Sequence, residues 1–139
     1  CSNGVSNDIV DDFVSDMQYS GKLYPIDESL MDAGCSVSGC GPAFVYMFIE
    51  ALADGGVKAG LPREKALKYA AATVEGAAAT VLKTGRHPEV LKDAVCSPAG
   101  STIEGVRTLE AKGFRGTVVD AVSESFKRTK ELGKNAKLF

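Results

Sequence analysis

The chain has 139 residues, with 16 Lys plus Arg against 18 Asp plus Glu and a net charge of −2, so it carries no basic footprint for nucleic acid. That length suits one domain with a core and is short for an enzyme carrying both a cofactor and a substrate domain. Hydrophobic residues at 45% and charged residues at 24% are ordinary for a soluble globular protein, and no apolar stretch is expected to reach the length of a membrane span.

In chain order, Ile9, Val10, Phe13, Val14 and Met17 recur at helical spacing behind Ser6-Asn7-Asp8, which predicts a helix over about residues 7 to 19 with Gly21 as its left-handed stop. Lys22 to Ile26 is the one strand candidate, with Pro25 placing it at an edge or an end. Asp27 is expected to cap a short helix stopped by Gly34. Pro42 opens a longer one ending near Gly60, and Leu61-Pro62 begins another that runs to Gly85. His87-Pro88 starts a helix ending before Pro98. Ser101 and Thr102 open one closed by Gly113, and a last helix spans about Arg115 to Leu132. The fold class is therefore mainly all-α.

Two of these helices imply unusual burial. Ala43 to Ala53 is apolar nearly all round except for Glu50, as expected where other helices or a second subunit cover it. Ala70, Ala71, Ala72, Thr73, Gly76, Ala77, Ala78 and Ala79 form a small-sided surface suited to close helix packing in an oligomer, although alanine also favours helix on its own account. The basic group Lys127, Arg128, Lys130, Lys134 and Lys137 suits the negative end of the final helix and reads as a solvated terminus.

The four cysteines form no C-x-x-C pair, and the single His87 stands in no ligand pattern and reads as a cap or loop residue, so no metal site is expected. Without a secretory apolar region, reduced thiols in the cytoplasm are the expectation. A start at Cys1 instead of Met points to an excerpt of a longer polypeptide.

Three segments carry residue types suited to chemistry. Cys96-Ser97-Pro98-Ala99-Gly100-Ser101-Thr102 is a tight turn leading into a helix, where free N–H groups, the positive dipole end and three hydroxyls form an anion seat. The plainer and more frequent explanation of such residues is a helix cap. Ser38-Gly39-Cys40-Gly41-Pro42-Ala43 is glycine-rich but is not G-x-G-x-x-G and follows no clear strand, so close packing explains it better than a nucleotide. Cys40 reads as a small buried hydrophobe ahead of a reactive thiol. Asp27, Glu28 and Asp32 group three acids on a short helix, either to pair with a cation or as an ordinary preference for a helix start.

These segments, taken together, resemble the C-terminal half of pyrroline-5-carboxylate reductase. The resemblance runs through Asp27-Glu28 to Asp32-Ala33, Ser38-Gly39-Cys40-Gly41-Pro42-Ala43-Phe44, Glu50-Ala51-Leu52-Ala53-Asp54-Gly55-Gly56-Val57 and Gly60-Leu61-Pro62-Arg63. It continues through His87-Pro88, Leu91-Lys92-Asp93, Ser97-Pro98 to Thr102-Ile103 and Gly113-Phe114-Arg115. It departs from the family pattern at Ala99, where a Gly-Gly pair is usual, at Ser101, where Thr or Ala is commoner, and at Cys40, where Ser is frequent.

The resemblance implies a helical dimerisation and substrate-binding domain over residues 27–139, forming an interlocked homodimer or a larger oligomer. Residues 1–26 would be the closing helix and strand of an upstream Rossmann domain. It implies reduction of 1-pyrroline-5-carboxylate to L-proline by NADPH or NADH, bound mainly by that upstream domain, with the chain alone inactive. Main-chain N–H groups near Gly100 and Ser101, with Ser97, would hold the substrate carboxylate. Thr102 would place its hydroxyl at the ring nitrogen, and Glu28 would stabilise the cationic iminium or product amine. The alternatives are a non-enzymatic helical oligomerisation module and a reductase of another cyclic imine.

Overall fold

The computed structural model describes residues 4–136, and all regular structure among them is helical. The chain divides into two units, one ending at Met31 and one beginning at Asp32, where the sequence suggested a boundary between 26 and 27.

In the first unit, α1 spans Asn7–Asp16. It ends short of the expected residue 19 because Gln18 N–H bonds the carbonyl of Ser15 and Ser20 N–H that of Met17, tightening the backbone into turns. Ile9, Phe13 and Val14 are exposed along its apolar face. No strand forms at residues 22–26. A strand exists only as part of a hydrogen-bonded ladder, and the described residues contain no second strand to pair with it. Glu28–Leu30 is a single 3-10 turn; the Asp27 carbonyl accepts from Leu30 N–H, but its carboxylate makes no cap bond, contrary to expectation.

α2, Met31–Ser38, runs straight through Gly34, which was expected to stop it. Glycine costs a helix interior about 1 kcal/mol, too little to end one by itself. The stop comes at Gly39, whose N–H bonds the Cys35 carbonyl, as does the N–H of Cys40. Ser36 is fully buried and its hydroxyl donates to the Asp32 carbonyl at 2.7 Å.

α3, Gly41–Lys58, and α4, Arg63–Thr84, form an antiparallel hairpin. Gly60, at φ 103°, makes the bend that a Cβ would strain, and Leu61 N–H returns to the Gly56 carbonyl. Ala53 faces Ala66 and Ala70, with Ile49 and Val57 packed beside them, and an Arg63–Asp54 ion pair straps the bend. Small side chains on both helices let the backbones approach closely. At about 0.8 kcal/mol per buried methylene-sized group, three alanines contribute only about 2–3 kcal/mol. That is a thin core.

α5, Pro88–Val95, α6, Ser101–Ala111, and α7, Phe114–Ala136, complete the second unit. His87 caps α5 through Nδ1, which accepts from Glu89 N–H at 3.2 Å. Phe48 of α3 meets Phe114 of α7 with ring centroids 5.9 Å apart. On α7, Lys127 pairs with Glu124, Arg128 with Glu131, and Lys130 lies over the Phe126 ring, so these three members of the basic group are partnered on their own helix. Lys137, like Cys1, lies outside the described residues.

Among the described residues, α4 covers only part of α3. Tyr46 is 69% and Met47 70% exposed, and Phe44, Met47, Phe48 and Leu52 line an open apolar groove of about 470 Å³ with Phe114 and Val118. The interval Glu28–Lys58 is also long and apolar enough, by length and composition, to cross a membrane, which corrects the opposite expectation. Gly39 and Cys40 interrupt it between α2 and α3.

Candidate functional site

The connection from α5 to α6 turns sharply at residues 96–100. Gly100 N–H bonds the Ser97 carbonyl at 3.0 Å, and Ala99 takes a positive φ of 54° to close the turn. Gly100 has φ −79°, so its need is not conformational. A Cβ there would collide with Ser97 Oγ and lie 3.1 Å from the Ser97 carbonyl oxygen.

α6 then starts with Gly100 as its N-cap, and no side chain caps it. The routine capping role expected of Ser101 or Thr102 is therefore not what these hydroxyls do. The first-turn N–H groups of α6 and the Ser97, Ser101 and Thr102 side chains are exposed together at the positive end of an 11-residue helix. Such a junction offers donors to a carboxylate or phosphate and a hydroxyl that both donates and accepts.

Four of the five expected site residues, Ser97, Gly100, Ser101 and Thr102, thus meet at one turn. Glu28 lies in the other unit, exposed, at the start of the 3-10 turn. Cys40 is half-buried at the N-cap of α3, and Cys35, Cys40 and Cys96 stand as free thiols. The glycine-rich segment from Ser38 to Ala43 joins two helices, not a strand to a helix, and so does not fit a dinucleotide turn.

The sequence did not disclose a cluster of charges at the far ends of α5 and α6. Arg115 Nη1 lies 2.9 Å from Glu89 Oε2, Nη2 3.2 Å from Glu89 Oε1, and Nε 2.6 Å from Glu110 Oε1. Lys92 adds contacts of 3.2 Å to Glu89 and 2.7 Å to Asp93. Hydrogen bonds from Arg115 and then Lys92 hold the Glu89 carboxyl below its ordinary range. Donating to Asp93 and then Glu89 raises Lys92, and donating to Glu89 and then Glu110 raises Arg115. The available signal was the placement of Glu89 and Arg115 in the first turns of their helices.

Fold and junction together define a helical domain with an uncovered apolar face and one uncapped helix start rich in hydroxyls. Comparison with known proteins makes the class specific. The family described as pyrroline-5-carboxylate reductase dimerisation matches residues 28–132, and the chain belongs to that family. It is 55% identical over 115 residues to a pyrroline-5-carboxylate reductase of Arabidopsis thaliana, covering 83% of this chain and 42% of that protein. With the Escherichia coli enzyme of the same name it shares 49% identity over 115 residues, 83% of this chain and 43% of that one.

Among solved structures it resembles the Plasmodium falciparum pyrroline carboxylate reductase with NADP bound, at TM-score 0.84 and 36% identity over 95% of this chain and 50% of that one. The 1-pyrroline-5-carboxylate reductase of Streptococcus pyogenes gives TM-score 0.84 and 34% identity over 94% and 50%. The chain spans about two-fifths of the length of the curated relatives.

Proposed function

We propose that this chain is the substrate-holding and dimer-forming part of a cytoplasmic reductase that converts 1-pyrroline-5-carboxylate to L-proline. NADPH or NADH would supply the hydride from an upstream Rossmann domain, since the glycine-rich turn of this chain does not fit a dinucleotide. Residues 1–26 would complete that upstream domain, with the strand at 22–26 gaining its ladder there.

The observation that carries this reading is the uncapped start of α6, where Ser97, Ser101 and Thr102 remain available. Its first-turn N–H groups and the helix dipole attract the substrate carboxylate. The Thr102 hydroxyl then hydrogen-bonds the ring nitrogen and fixes which face of the imine is presented. Glu28 is assigned on the family resemblance alone, as a negative charge for the nitrogen as it becomes cationic.

The test is NAD(P)H oxidation by the full-length protein with pyrroline-5-carboxylate, with this chain alone assayed in parallel. Turnover by the longer protein only is the expected result. Thr102→Ala in that protein should lower kcat/KM about a hundredfold, the scale of losing one well-aimed donor. Its unfolding midpoint should not move, because this hydroxyl caps nothing. Turnover only with another cyclic imine would change the substrate, and no turnover with any would leave the oligomerisation module as the function.

A further inference from the structure

α5 and α6 are the two arms on either side of the 96–100 turn. Glu89 lies in the first turn of α5 and Glu110 in the last turn of α6, so each carboxylate sits at the end of its arm remote from that turn. Arg115, in the first turn of α7, holds both with the contacts given above. One guanidinium bonded to two carboxylates brings the far ends together. The far ends of the two arms therefore close on Arg115.

No fully buried side chain locks the angle between them. α5 contains no buried residue, and α6 contains none either. Beneath the charges, Pro88, Lys92, Val106, Leu109 and Phe114 line a shallow cavity, which leaves room for the arms to shift. At about 1.5 Å rise per residue, the arms from Glu89 to Val95 and from Ser101 to Glu110 are levers of roughly 9 and 14 Å. A small displacement at Arg115 is thus carried to the turn where Ser97, Gly100 and Thr102 meet.

The planar fork of Arg suits this task. It hydrogen-bonds Glu89 through Nη2, with Nη1 in ion-pair contact with the second oxygen, and keeps Nε for Glu110, a spread of donors that a lysine ammonium cannot reproduce. Without it, Glu89 would keep only Lys92 as its cation and Glu110 would lose its tie to α5. Exposed ion pairs contribute little to folding free energy, so the consequence of this one is geometric.

We propose that Arg115, acting through Glu89 and Glu110, is a positioning residue that sets the Ser97–Thr102 turn and thereby the carboxylate seat. The inference rests on the function proposed above. In the full-length protein, Arg115→Gln should raise KM for pyrroline-5-carboxylate on the order of tenfold and leave KM for NADPH unchanged, since misplacement of a binding group acts on the ligand it holds. Glu89→Gln should show the same pattern more weakly. The double variant should be no worse than Arg115→Gln alone, because both act through one contact. Arg115→Lys should not restore the wild-type KM.

A fall in kcat with both KM values unchanged would indicate only fewer active molecules and would overturn the proposal, as would a wild-type substrate KM in Glu89→Gln. If Arg115→Gln does not fold, Glu89→Gln decides, because it leaves the Arg115–Glu110 pair in place. Amide exchange at Gly100 separates this idea from the reading beneath it. Faster exchange of that N–H in Glu89→Gln supports the clamp even in a protein that reduces no pyrroline-5-carboxylate, and unchanged exchange there rejects it.

Discussion

Ala99 occupies the left-handed region at φ 54°, where its Cβ crowds the following carbonyl at a cost of about 1–2 kcal/mol. Its exposed methyl is not buried in any core that would offset this. Glycine would remove the clash but brings a larger entropy loss on folding, about 0.5–1 kcal/mol. Ala99→Gly should therefore stabilise the chain by roughly 0.5–1 kcal/mol, read as a higher midpoint in urea or thermal unfolding. An unchanged or lower midpoint would mean that the turn relaxes out of the left-handed region in solution. The hydroxyls and Gly100 of this turn were legible in the sequence because Ser, Thr and Gly mark helix starts. The backbone sign at Ala99 was not, since nothing in the residue type demands it. Nor was the Arg115–Glu89 contact, which joins positions 26 apart and depends on how three helices meet.

At the level of elements, Pro42, Pro62 and Pro88 mark the starts of α3, α4 and α5, and Gly85 closes α4 with φ 62° and a bond from its N–H to Val81. These boundaries were readable because proline and left-handed glycine act locally. The strand at 22–26 was not decidable in this way, because a strand requires a partner that this segment does not contain. The Ala53, Ala66 and Ala70 contact between α3 and α4 lies between these cases: the small residues were visible, but which of them face inward was not. All three are at most 3% exposed, so there is no room for a larger side chain. Ala70→Leu should push the helices apart and destabilise the folded chain by about 1–3 kcal/mol, measured by denaturant unfolding. A neutral effect would show that the hairpin yields easily and that the packing is looser than the burial suggests.

For the whole molecule, the decisive quantity is how little the chain buries by itself. Among the described residues only Ala53, Ala66, Ala70 and Ser36 are buried, while Phe48, Met47, Tyr46, Leu52 and Val118 remain open to solvent. A single chain with so small a core lacks the apolar burial that offsets the ordering of its backbone. The family to which it belongs is described by its dimerisation, and the groove between α3 and α7 is an apolar surface left open to solvent in the single chain. Met47 is 70% exposed on the rim of this groove and makes no contribution to the hairpin core, so a charge there should be tolerated by the monomer. Buried unpaired at a subunit interface, the same charge costs several kcal/mol, enough to shift a micromolar dimer to monomer. Light scattering or sedimentation should accordingly find the wild-type chain dimeric and Met47→Glu dissociated, with its helical circular dichroism reduced as the uncovered helices lose their support. A wild-type monomer of full helicity would contradict this account of stability. A Met47→Glu dimer as tight as wild type would move the interface away from this groove, leaving the small-sided face of α4, around Thr73 and Gly76, to carry it.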